Sequence, residues 1–121
     1  ACMDRGVGVI IGAPFSSGIL ATGSAGAAHY AYEKPDQSII DKVRNIESVC
    51  AAHNVSLQDA ALQFPLAHPA AVSIIPGAAK PEELIANVAS IDTDIPSVFW
   101  DELKLKGLIS SDAPVPIGLD K

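Results

Sequence analysis

Val7-Gly8-Val9-Ile10-Ile11 runs directly into Gly12-Ala13-Pro14-Phe15-Ser16-Ser17-Gly18, and Val72-Ser73-Ile74-Ile75 runs into Pro76-Gly77-Ala78-Ala79-Lys80-Pro81-Glu82-Glu83-Leu84. Each is a short, unbroken, β-branched apolar run that ends in a loop of small residues. Such runs suit strands buried on both faces, as in a parallel sheet covered by helices. Between them Asp36 stands as an N-cap, and Ile39, Val43, Ile46 and Cys50 follow at helical spacing, with Asp41, Lys42, Arg44 and Glu47 on the opposite side. This predicts a helix of about four turns ending near His53-Asn54. Ser56 caps a second, short helix from Leu57 to about Phe64; Pro65 removes a backbone donor, and His68-Pro69 closes the segment. Strand, helix and strand at this spacing imply parallel strands joined by a right-handed crossover.

Working outward, Gly12 to Ala28 is rich in Gly, Ser and Ala and reads as one long loop, continued by Tyr30 to Pro35. After the second strand, Pro76-Gly77-Ala78-Ala79 reads as a tight turn and Pro81 as the first helical position. Leu84, Ile85, Val88 and Ile91 then line one face of a helix to about Ser90. Thr93 to Pro96 is a break, and Val98 to Gly107 a last helix packing through Phe99, Trp100 and Leu103. Residues 1–109 form the ordered unit in this reading, and 110–121, with Pro114 and Pro116, a loose tail. At the other end, Cys2-Met3-Asp4-Arg5-Gly6 reads as a helix exit with a glycine stop, which suggests that the beginning of something larger precedes it. Two parallel strands cannot stand alone, because their edges and faces need neighbours. The expected fold class is therefore α/β, with the chain forming the end of a (β/α) sheet or barrel.

The composition narrows the function classes. Of 121 residues, 49% are apolar, enough for a real core, and fourteen acidic against eight basic residues give a net charge of -6. That balance opposes a nucleic-acid surface, which needs a basic stripe, and a polybasic membrane anchor. No apolar run approaches the roughly 20 residues of a spanning helix, and residues 1–30 lack the pattern of a signal peptide. Two cysteines, Cys2 and Cys50, build no disulfide scaffold, so a reducing, cytoplasmic setting is expected.

Both strand-end loops are candidate binding segments, since α/β sheets and barrels place ligands at the carboxyl ends of their strands. In Gly12 to Gly18, small residues let a ligand approach the backbone, and two hydroxyls with free amides could bond phosphate oxygens; the plain alternative is a polar connection. In Ile75 to Leu84, a helix N-terminus favours an anion, Lys80 adds charge and Asn87, about two turns on, could present an amide. The plain alternative there is a helix start with Glu82 and Glu83 on the favourable dipole end and Asn87 solvated. His29, His53 and His68 share no metal-ligand spacing, and His53 reads as a helix-dipole partner. Tyr30, Tyr32, Lys34 and Asp36 could suggest acid–base chemistry, but surface decoration is the better reading. There is no GxGxxG, GxxxxGK[ST] or HExxH motif.

Gly8 to Leu20 resembles the seventh barrel strand and following loop of the aldo-keto reductases. Ala60-Ala61-Leu62-Gln63-Phe64-Pro65-Leu66-Ala67-His68-Pro69, with Val72 to Asn87, resembles their last strand and the start of their cofactor-binding helix. The similarity spans about residues 3–105 and is greatest to a bacterial branch that oxidises L-fucose, D-threo-aldoses or pyridoxal. It implies the last two βα units plus the C-terminal helix of a TIM (β/α)8 barrel that uses NAD or NADP. By position, the resemblance puts Ala13, Phe15, Ser16 and Ser17 near the pyrophosphate and ribose. It puts Gly77, Ala78, Ala79, Lys80, Glu83 and Asn87 around the adenosine end.

Two departures from the family pattern bear on the cofactor. Gly12 stands where many members stack an aromatic ring on the nicotinamide, and Gly77, Ala78 and Glu83 stand where phosphate-gripping members place Lys, Ser and Arg. Glu83 would repel a 2′-phosphate and could accept from a free ribose hydroxyl, which favours NAD, with Lys80 as the counter-argument. The family's catalytic Asp, Tyr, Lys and His belong to the first half of the barrel, and His29, Tyr30, Tyr32 and Lys34 are not their equivalents. The chain alone is therefore expected to be inactive and to associate with the missing N-terminal half or with itself. The rival readings are a stand-alone nucleotide-binding or interaction module, and a different barrel fragment that binds a substrate phosphate.

Overall fold

The computed structural model describes residues 1–26 and 33–117. A single 3-10 turn, Met3–Arg5, ends at Gly6 in the left-handed conformation, with the Gly6 amide on the Met3 carbonyl, as the glycine stop requires. The chain then runs through β1 (Val9–Gly12), α1 (Ile19–Thr22), α2 (Gln37–Ala52) and α3 (Leu57–Leu66). It continues through β2 (Ala71–Ile75), α4 (Pro81–Asp92) and α5 (Ser97–Leu105). Strands β1 and β2 pair in parallel, with Ile10 opposite Ser73, Ile11 opposite Ile74 and Gly12 opposite Ile75, and with an irregularity between Val9 and Ile10. The chain is thus α/β around a small parallel sheet.

Helices α2 and α3 start at the caps that the pattern named. The Asp36 carboxylate accepts from the Ile39 amide at 3.0 Å and opens α2; Ser56 Oγ accepts from the Asp59 amide at 3.0 Å and opens α3. The core lies among helices: Val49 and Cys50 of α2, Ala60 of α3, and Ile95, Phe99, Trp100, Leu103 and Leu108 in and around α5. Phe99 meets Trp100 edge-on at 4.8 Å between centroids, and Phe64 stacks on the same indole at 5.9 Å. Ile109 and Val115 pack against this cluster, so part of the segment beyond α5 is anchored to it.

Several expectations are corrected. Strand β1 starts at Val9, not Val7, because the Val7 amide is still folded back onto the Cys2 carbonyl at 2.9 Å. The strands are not buried on both faces: Ile10, Ser73 and Ile75 share an open face, with Ile10 and Ile75 each 60% exposed, while Ile11 and Ile74 on the other are half-buried. Nothing in the chain covers that face among the described residues. The long loop after β1 contains the helical turn α1, capped by Gly18 and held by Thr22 Oγ1 on the Gly18 carbonyl at 3.0 Å, with Ile19 fully buried. Helix α3 runs to Leu66, two residues past the expected end, and Pro65 forfeits one backbone donor inside its last turn. The segment closes at His68-Pro69 as expected, with the Ala67 and His68 amides on the Phe64 and Pro65 carbonyls. Residues 76–78 form no turn, and the chain bends at 79–80 instead.

Helix α4 differs most. Its apolar stripe of Leu84, Ile85 and Val88 is exposed, and its buried residues are Asn87 and Ser90. The helix faces α3 through polar groups: Gln58 Nε2 donates to Asn87 Oδ1 at 3.0 Å, and Gln63 Nε2 donates to the Ser90 and Thr93 carbonyls at 2.7 and 2.6 Å.

Candidate functional site

Because β1 and β2 are parallel neighbours, the loops that leave them emerge at the same edge. Together with α1, α3 and α4 they enclose a cavity of about 470 Å3. That volume is within the range of small-molecule sites, roughly 300–1,000 Å3. Ala13, Pro14, Phe15, Ser17 and Gly18 come from the first loop, Ala21 and Thr22 from α1, Gly77 from the second loop, Glu83 and Asn87 from α4, and Gln58 from α3. The first loop is unusual in its backbone. Ala13, Ser16 and Ser17 have φ of 50°, 49° and 63°, left-handed values that non-glycine residues adopt at a cost and that gather at ligand-binding segments.

Six of the ten residues expected from the sequence therefore meet in one cavity: Ala13, Phe15, Ser17, Gly77, Glu83 and Asn87. Ser16, Ala78, Ala79 and Lys80 do not line it. Ser16 faces a separate hollow beside Ile19, Ile39 and Val43. The expected free amides are partly spent, since Ser16 N–H bonds the Ala13 carbonyl and Gly18 N–H the Phe15 carbonyl, both at 3.0 Å. At the N-terminus of α4, Glu83 Oε2 accepts from the amides of Ala79 (2.7 Å) and Lys80 (3.3 Å). The place where a helix N-terminus would take an anion from solution is filled by the chain's own carboxylate.

Asn87 is not solvated. It is 3% exposed, its Oδ1 is engaged by Gln58, and its Nδ2 is buried without a hydrogen-bond partner. A buried amide donor left unpaired is costly. Gln58, Thr22 and Ala21 escaped the sequence reading. Gln58 lies on a helix whose approach to α4 is a tertiary fact, and α1 was hidden in a loop-like composition. No local signal marks either.

The other candidates resolve into structure. His53 stands at the C-cap of α2, the end where it was expected, and its Nε2 also lies 2.5 Å from Glu102 Oε2 and ties that end to α5, while Lys106 reaches Glu102 Oε1 at 2.7 Å. The His68 ring Nδ1 accepts from the Ala70 amide at 3.1 Å and closes the approach to β2. Asp36 is occupied as a helix cap, and His29, Tyr30 and Tyr32 lie outside the described residues. Phe15 is the aromatic side chain lining the cavity, while a Cβ placed on Gly12 would meet nothing within 4 Å. No helix among the described residues is long and apolar enough to cross a membrane.

The sequence profile described as the aldo/keto reductase family matches residues 1–106. The chain belongs to the aldo/keto reductase family. It is similar to a pyridoxal 4-dehydrogenase of Microbacterium luteolum, with 38% identity over 106 residues, covering 88% of this chain and 31% of that protein. It is also similar to a D-threo-aldose 1-dehydrogenase of a Pseudomonas species, with 31% identity over 110 residues, covering 90% of this chain and 33% of that protein. The chain thus spans about a third of the length of these curated aldo/keto reductase relatives.

Proposed function

We propose that this chain is the cofactor-binding section of an NAD(P)-dependent aldo/keto reductase acting on a sugar or another small aldehyde or alcohol. In this reading it supplies the last two βα units and the C-terminal helix of a (β/α)8 barrel. The observation that carries the reading is the convergence of both strand-end loops on one cavity that Asn87 of α4 also lines. Family membership supplies the reaction class, and the names of the two relatives supply the substrate range.

The residues present fit a dinucleotide. Small side chains at Ala13, Gly18, Ala21 and Gly77 let a flat or extended ligand lie against the wall, and Phe15 offers an apolar face. Asn87 would hold the base end and Ala13 to Ser17 the phosphate and ribose. Bound there, the nicotinamide supplies hydride exchange with a carbonyl carbon. This chain's part is to bind and orient. Among the described residues that line the cavity, Glu83 is the one ionisable in the ordinary range, and this reading assigns proton transfer to residues outside the cavity.

The cofactor favoured is NAD. Glu83 lines the cavity and already takes the amides of Ala79 and Lys80, so a 2′-phosphate would meet a carboxylate instead of open donors. Titration of the whole protein with NADH and NADPH, followed by nicotinamide fluorescence, tests this. NADH is expected to bind more tightly, and Glu83→Arg to narrow or reverse the gap. Loss of both cofactors alike would count against the placement, and no binding of either would remove the reading. The chain by itself is expected to show no turnover, with activity returning when the preceding barrel half is added. The free thiols of Cys2 and Cys50 suit a reducing, cytoplasmic setting.

A further inference from the structure

We propose that Glu47 is a positioning residue for the cavity: from α2 it clamps the exit of α1 and so holds the wall made by Ala21 and Thr22 where a bound dinucleotide needs it. The proposal rests on the nucleotide reading above and adds to it a residue that does not itself line the cavity. Helix α1 is a single turn of four residues, too short to hold itself in water. Its position therefore comes from its neighbours. On one side it packs on α3 and buries Ile19. On the other, a hollow of about 180 Å3 lies between it and α2, with Ile19 and Leu20 across from Ile39, Val43 and Ile46. Packing alone leaves α1 room to shift on that side.

Glu47 spans the gap. Both oxygens of its carboxylate take the residue just beyond α1: Oε1 accepts from the Ser24 amide at 3.1 Å and Oε2 from the Ser24 hydroxyl at 2.5 Å. Bonds to an ionised group are the stronger kind, and two from one carboxylate to one residue also fix its direction. Gly23 permits the approach, since a Cβ there would lie 2.1 Å from Glu47 Oε1. The helix that carries Glu47 is itself anchored, through buried Val43, Val49 and Cys50 and through His53 on Glu102 of α5. Position thus passes from the helical core through Glu47 and Ser24 to the cavity wall. By charge alone a carboxylate opposes an anionic ligand, so the sign of its effect on binding separates positioning from electrostatics.

The test is stopped-flow binding of NADH to the whole protein and to Glu47→Leu, Glu47→Gln and Ser24→Ala, each with its melting temperature. Glu47→Leu removes the clamp and should bind NADH roughly tenfold more weakly, mainly through faster release. Glu47→Gln keeps it, because the carboxamide oxygen accepts from the Ser24 amide and the NH2 group donates to the Ser24 hydroxyl oxygen; its affinity should stay within about twofold. Ser24→Ala removes one of the two bonds and should bind about threefold more weakly, which keeps the test decisive if Glu47→Leu fails to fold. A purely structural role would lower melting temperatures and leave the affinity of the folded variants unchanged, and that result overturns the proposal. Tighter binding in Glu47→Leu, or equal weakening in Glu47→Gln and Glu47→Leu, overturns it too.

If NADH does not bind the unsubstituted protein, the nucleotide reading fails, and the clamp is judged without ligand. The amides of Ala21 and Thr22 on the Gly18 carbonyl, and of Gly23 on the Ile19 carbonyl, should then exchange hydrogen faster in Glu47→Leu than in Glu47→Gln. Equal exchange in the two variants would overturn the positioning of α1 as well.

Discussion

At Gly23 the backbone is left-handed, with φ of +81°, and a Cβ built there would lie 2.1 Å from Glu47 Oε1. That carboxylate cannot simply swing away, because it accepts from the Ser24 amide at 3.1 Å and the Ser24 hydroxyl at 2.5 Å. Gly23→Ala is expected to lose about 1–3 kcal/mol in urea unfolding. Gly77→Ala, where φ is ordinary and the added Cβ meets nothing within 4 Å, should stay within about 0.5 kcal/mol of the parent. Equal losses at the two positions would show that the Glu47 grip on the loop is not what fixes Gly23. The Glu102 carboxyl is a second residue-scale case. Hydrogen bonds from Lys106 and from His53 hold it below its ordinary value of 4.5. A carboxyl lowered in the folded state contributes stability that is fully present above its unfolded value and is lost as pH falls through the folded one. The stability gap between the parent and Glu102→Gln should therefore be constant at neutral pH and close in acid, below pH 4.5. A gap that widened in acid would reverse the assignment. Cys50, buried and near Glu47, has its thiol pushed up to about 11, so at neutral pH it is protonated as well as covered. Alkylation of the folded chain should mark exposed Cys2 alone, with Cys50 reacting on unfolding.

Helix α3 is the element on which the cavity depends, because its first turn carries Gln58 and its middle carries Gln63. Removing its cap by Ser56→Ala should cost about 0.5–2 kcal/mol and weaken ligand binding more than an equally destabilising change remote from α3. Equal binding in both variants would show that the cap serves stability alone. The elements readable in advance were those whose signal is local. Asp36 and Ser56 cap helices by their own side chains, and the α2 stripe of Val43, Ile46 and Cys50 turns inward as its period demands. Phe99, Trp100 and Leu103 were recognisable as core from their size and spacing. What was not readable depends on partners distant in the chain. The period of α4 shows an apolar face at Leu84, Ile85 and Val88, yet α3 meets the opposite, polar side. Periodicity reports that a face exists; it does not report which neighbour a chain supplies. The Gly- and Ser-rich stretch after β1 concealed α1, whose stability comes from burying Ile19 rather than from propensity. Pro65 stands one residue before the end of α3, so the donor it lacks marks the close of that helix to within a residue.

Across the whole molecule the buried and exposed apolar groups are segregated. A closed helical core surrounds Trp100, 1% exposed, while Ile10 and Ile75 on the open sheet face and the α4 stripe lie in the open, with Ile85 69% exposed. A monomer in water seldom leaves so many large apolar side chains uncovered, and a two-stranded parallel sheet with open edges among the described residues adds unpaired backbone groups to them. Both features would be resolved if further strands continued the sheet and further helices lay on α4, as in the proposed barrel. By itself the 121-residue chain should therefore self-associate. Sedimentation velocity over a concentration series checks this, and Ile85→Lys combined with Val88→Glu should shift the chain toward monomer without lowering its melting temperature. The same pair should weaken recovery of activity when the preceding half is added, since one surface would serve both contacts. If the double variant stays associated yet loses complementation, self-association runs through the sheet edge, and the α4 stripe is reserved for the rest of the barrel.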